Sequence, residues 1–182
     1  MSLALKILTI YAPPALKKRA LRELYLATAR AFGTPPPDLR GLTRAELLES
    51  YASFTRHEAE RVVKDAERGS AVEERLFREA RGLGERLRRT LRLRTPGEVL
   101  AASKILYGAL GIDFEGREPG EVTIRRCYFS RFYTADICRV MSSADAGVAA
   151  GLSGGGQLAF TRRITEGGEA CRARLVFEEP GR

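Results

Sequence analysis

The sequence is poor in the residues that build metal centres and catalytic dyads. Histidine occurs once, at His57. Cysteine occurs three times, as Cys127, Cys138 and Cys171, and no two of them form a Cys-x-x-Cys pair. An odd count without that spacing argues against a disulfide framework and against a zinc knuckle, and it fits a reducing compartment. A carboxylate-bridged di-metal site asks for two Glu-and-His pairs at helical spacing. Here only His57 and Glu60 are so spaced. The reading is therefore no metal and no cofactor.

No long apolar run is present. Residues 1–14 are interrupted by Lys6 and Thr9. That stretch is too short to span a bilayer and lacks the basic start of a signal peptide. It reads as a packed first strand or helix, and the protein as cytoplasmic without a membrane partner. No block of five or six like charges appears, although 31 basic residues face 23 acidic ones for a net charge of +8. Such an excess suits nucleic acid or an anionic surface. The arginines are scattered and no nucleic-acid motif accompanies them, which argues against nucleic acid as a partner. Binding through the basic surface stays as a third reading. The Gly154-Gly155-Gly156 cluster follows a helix and precedes a strand. A phosphate cradle needs the reverse order, so the cluster reads as a connector.

The 182 residues are 44% hydrophobic, enough to bury a core as a single compact unit without cross-links. Pro14 opens a helix in which Leu16, Ala20, Leu24, Ala27 and Ala31 recur at spacings of three and four, closed by Gly33. Thr43-Arg-Ala-Glu46, Ser70-Ala-Val-Glu73 and Thr95-Pro-Gly-Glu98 each have the form of a capping box. The first predicts a helix ending at Gly69, the second a helix through Leu91, and the third a buried helix ending at Gly111. Residues 114–120 read as a turn-rich linker. The period then changes to two around Val122 and Ile124. Thr134 caps a helix running to about Ala150. Two alternating segments, 158–164 and 171–177, flank a Gly167-Gly168 turn. The expected fold class is α+β. Residues 1–116 form a helical part of about four helices, and 117–182 a small antiparallel sheet in β-α-β-β order. Self-association is left open.

Cys138 falls near the start of its helix, where unpaired amides favour a thiolate. Ser142 and Asp145 share its stripe. One reading makes the three a nucleophile, a hydroxyl and a carboxylate in one pocket. The other makes Cys138 a small packed hydrophobe. Arg162 alternates with Leu158, Phe160 and Ile164. A charge on that face needs a partner or an anion in a cavity. The alternative is an internal salt bridge or a strand-end arginine reaching solvent.

The residues Cys127, Cys138, Asp145, Phe160, Arg162, Thr165, Gly167, Gly168 and Cys171 make up a pattern. It is a cysteine after a strand, a helix bearing Cys and Asp, then Phe-x-Arg-Arg-x-Thr and Gly-Gly-x-x-Cys. In this the last 60 residues or so resemble the family of 2-amino-thiazoline-4-carboxylic acid hydrolases. The resemblance implies a hydrolase that opens a small cyclic amidine bearing a carboxylate. On that reading Arg162 or Arg163 holds the carboxylate, Cys138 attacks or polarises a water, and Asp145 shuttles the proton. Ser142, Cys127 and Cys171 complete the binding site. The closing Gly…Cys hairpin also resembles the 4-vinyl-reductase domain, which implies a small-molecule-binding or sensory module without chemistry.

Overall fold

The computed structural model describes residues 3–178. Five helices come first: α1 (Leu3–Ile10), α2 (Pro14–Phe32), α3 (Arg44–Val63), α4 (Ala66–Leu91) and α5 (Pro96–Ala109). A hairpin of β1 (Ile112–Arg117) and β2 (Glu121–Cys127) follows, then α6 (Ala135–Ser153), β3 (Gln157–Arg162) and β4 (Cys171–Val176). Short 3-10 turns at Tyr128–Arg131 and Ile164–Glu166 flank this last part. The class is α+β. The four strands form one antiparallel sheet in the order β1-β2-β4-β3. No helix among the described residues is long and apolar enough to cross a membrane.

The helix boundaries follow local chemistry. Proline stands in the first turn of α2, where its missing N–H is not needed. Gly33 takes φ +72° at its end and donates to Ala29 and Arg30. Thr43 with Glu46, and Thr95 with Glu98, form complete reciprocal capping boxes. The expected box at Ser70 does not form, because Gly69 and Ser70 lie inside α4. The Gly69 amide donates to the Asp65 carbonyl at 3.0 Å, a helical bond. The break comes earlier, where exposed Lys64 and Asp65 separate buried Val62 from buried Val72.

The expected linker at 114–120 is corrected in the same way, since most of it is strand β1. Ile112 and Phe114 point into the core while Glu115 outside holds both Arg117 and Arg125. A short strand with a glycine and many charges hides its alternation from a sequence reading.

Helix α6 is the hub, touching α3, α4, α5 and β3. It approaches α4 at backbone contact distance. A Cβ added to Gly147 would lie 2.2 Å from the Phe77 carbonyl oxygen, and one on Gly151 2.2 Å from that of Arg81. From the α4 side, a Cβ on Gly84 would lie 2.5 Å from the Val148 carbonyl. Only glycine permits this spacing. The opposite flank of α6 is thereby held over the sheet, whose inner face carries buried Val122, Ile124, Cys171, Ala173 and Leu175.

One irregularity moves a predicted site residue. In the β3–β4 ladder Phe160 pairs with Ala173, but Arg162, not Thr161, pairs with Arg172. The inserted Thr161 is a bulge, which breaks the period of two. Arg162 therefore lies exposed, off the Leu158–Phe160 face, and its neighbour Arg163 turns inward with its side chain 17% exposed.

Candidate functional site

Thr134 caps α6, its hydroxyl accepting from the Ile137 amide at 3.4 Å. From that start the helix period brings Cys138, Met141, Ala144, Asp145 and Val148 along one flank. This flank lines a cavity of about 90 Å³. Leu106 and Tyr107 of α5, with Leu110 just past its end, form another wall, and Tyr51 of α3 and Leu24 of α2 close it behind. Cys127, Phe129 and Ser130 enter from the end of β2 and the first 3-10 turn, with Tyr133 beside them. Cys171 enters from β4, and Ile164 and Thr165 from the second 3-10 turn.

The fold thus brings together Cys127, Cys138, Asp145 and Cys171, which the sequence singled out. It does not bring Arg162, whose charge the bulge sends to solvent. Ser142 stays off the cavity wall, its hydroxyl donating to the Cys138 carbonyl at 2.7 Å. Arg163 stands behind the wall. One of its terminal nitrogens is 3.5 Å from Ser142 Oγ, another 3.7 Å from Glu166, and its guanidinium lies over the Phe160 ring. Its Nε is buried without a hydrogen-bond partner.

Asp145 is the only ionic side chain among the lining residues. Burial raises its pKa to about 6, against the opposing hydrogen bond from Tyr107 and the positive charge of Arg163. The Tyr107 hydroxyl donates to Asp145 Oδ1 at 2.8 Å. Tyr107 escaped the sequence reading, although a tyrosine in a nearly all-apolar helix signals a buried partner for its hydroxyl.

The thiols move the same way. Burial pushes Cys127 up to about 12 and also raises Cys138 and Cys171. Asp145 adds to the rise at all three. Thr165 faces Cys138 closely enough to temper its rise, yet Thr165 Oγ1 makes no well-aligned hydrogen bond with any group. The amide of Ile164 donates to Cys171 Sγ at 3.4 Å and tempers that thiol similarly. The helix-start effect expected to yield a thiolate at Cys138 is outweighed by desolvation. His57 is exposed on α3, and Glu60 beside it is paired with Arg56. Among the described residues no three His, Cys, Asp or Glu side chains gather around a common point suited to a metal.

These thiols predict a labelling pattern. At neutral pH all three cysteines of the folded protein react slowly with a thiol reagent, and three react at once after unfolding. One cysteine labelling far faster than the others would contradict the burial argument.

No protein-family model matches the chain, and no curated protein matches it.

Proposed function

We propose that the protein binds a compact, largely apolar small molecule in this cavity, held by a hydrogen bond that the ligand donates to Asp145. The observation that carries this reading is a cavity with apolar walls, a single carboxyl group and no lysine, arginine or histidine in its lining. Tyr107 occupies Oδ1 of that carboxyl and leaves Oδ2 as an acceptor. With a pKa of about 6, Asp145 is mostly ionised at neutral pH, and an amine, amidine or hydroxyl suits it. Thr165 Oγ1, buried beside Cys138 without a well-aligned hydrogen bond, supplies a second polar contact. Protonated thiols add soft, weakly polar wall. This is the kind of module that resemblance to the 4-vinyl-reductase domain implies.

One observation favours a second reading, hydrolysis of a small cyclic amidine. A carboxyl group titrating near neutrality is suited to take a proton from water. In that reaction Asp145 is the base and Cys138 a wall residue. The carboxylate of such a substrate would have to reach Arg163, the arginine that faces inward.

Thermal-shift measurements separate these outcomes. The probes are 2-aminothiazoline, 2-amino-thiazoline-4-carboxylate and a small aliphatic carboxylate, each at pH 5 and pH 8. A donor ligand stabilises more at pH 8, where Asp145 is ionised, and Asp145→Asn abolishes the pH difference. Stabilisation by the simple carboxylate alone, stronger at pH 5, would overturn the donor reading. Release of a new thiol from the ring-bearing probes, lost in Asp145→Asn, decides for hydrolysis.

A further inference from the structure

We propose that the outer face of the sheet docks the phosphate backbone of a nucleic-acid duplex. This surface is separate from the cavity and does not depend on what the cavity binds.

The fold collects charges that look scattered in the sequence. Arg162 and Arg172 are register partners on adjacent strands, and Arg174 lies two residues along β4 from Arg172. All three are exposed. Like charges directly opposite one another in a sheet are destabilising. The two guanidinium groups part: the stem of Arg162 lies over Gly168, while Arg172 donates to Thr123 Oγ1 at 2.7 Å. Neither arginine, nor Arg174, forms an ion pair among the described residues. Glu121 is the register partner of Arg174 without bonding to it, and Glu115 is already held by Arg117 and Arg125. The face therefore keeps an excess of positive charge on a rigid scaffold, three arginines against the one carboxylate of Glu121 beside them.

The chemistry of the face selects the partner. Planar arginine forks match phosphate oxygens. Its exposed residues include Gln157, Ala159, Thr161 and Val176, with Thr123 half-buried among them, but no aromatic ring, so it offers no stacking platform for unpaired bases. Val176 alone is too little apolar surface to anchor in a bilayer. The Thr161 bulge interrupts the free edge of β3, which disfavours addition of a partner strand. Among partners that present phosphates, a duplex read through its backbone is what remains.

The test is fluorescence anisotropy of the full chain with a labelled DNA duplex, an RNA duplex and a single strand, over about 50 to 200 mM salt. The triple variant Arg162→Gln, Arg172→Gln, Arg174→Gln is compared with a control of equal charge loss. That control is Arg19→Gln, Arg40→Gln, Arg56→Gln, whose arginines are each paired with an acid elsewhere. In the sheet variant the slope of log K against log salt falls by about 2.7 on DNA, roughly 0.9 for each phosphate no longer neutralised. The control leaves it unchanged. Relief of the like-charge pair also raises the urea midpoint of the free sheet variant, so lost binding is not lost folding. Equal slopes for both triples, a single strand bound as tightly as the duplexes, or polyglutamate displacing them at matched charge would each overturn the proposal.

Discussion

Gly151→Ala is expected to destabilise the protein by about 3 kcal/mol, the upper end of what overpacking costs. The added methyl would meet the Arg81 carbonyl oxygen at 2.2 Å and the Glu85 amide nitrogen at 2.7 Å. Both are backbone atoms of α4, so no rotamer change relieves the clash. Relief requires α4 and α6 to separate, which loosens buried Leu83, Val148 and Leu152. Adding Gly147→Ala, against the Phe77 carbonyl, is expected to abolish cooperative folding. Gly82→Ala is the internal control. It lies in α4, with only the end of the Arg86 side chain nearby, at 3.6 Å. There alanine should raise stability by roughly 0.5–1 kcal/mol through helix propensity alone. Urea unfolding followed by circular dichroism reads all three. Equal effects at positions 82 and 151 would mean that the two helices are not in backbone contact.

Asp145→Asn is expected to stabilise the protein by about 3 kcal/mol at pH 8 and by nothing measurable near pH 3, one pKa unit being about 1.4 kcal/mol. The ordinary value is 3.8 and the folded value about 6, raised by burial. Below the ordinary value the carboxyl is protonated in both states and contributes its full share of stability. Between the two values the folded protein still holds the proton that the unfolded chain has lost. Stability therefore falls as pH rises through that window and levels off above about 6. Asparagine keeps an acceptor for Tyr107 and cannot ionise. The measurement is the urea midpoint of both proteins across that range. Parallel curves would show that the Asp145 carboxylate is solvated and not held in a dry cavity.

Much of the helical framework is legible in the sequence because helix ends are local events. Thr43, Thr95 and Gly33 act on backbone groups within four residues, and each works as its type predicts. Gly69 misleads because a glycine stops a helix only when it adopts positive φ, and it does not do so here. The stripe from Cys138 to Asp145 was legible for the same local reason, since both lie on one helix. Strand β1 was hidden because its charged residues are neutralised by β2, a partner that sequence spacing does not reveal. The position of Arg162 was hidden because a bulge depends on two strands together. Tyr107 and Thr165 reach the cavity only through tertiary packing, across α5 and the second 3-10 turn.

The bulge at Thr161 bears on errors in assembling the hairpin. Residues 162 and 163 are both arginine, so sliding β3 by one position exchanges two identical side chains. That corner is degenerate and gives the folding chain no signal of a mistake. Discrimination falls to Leu158 and Phe160, which the same slide would turn from half-buried to solvent-facing positions. A chain with both replaced by serine would retain its charge pattern and lose the means of telling one alignment from the next.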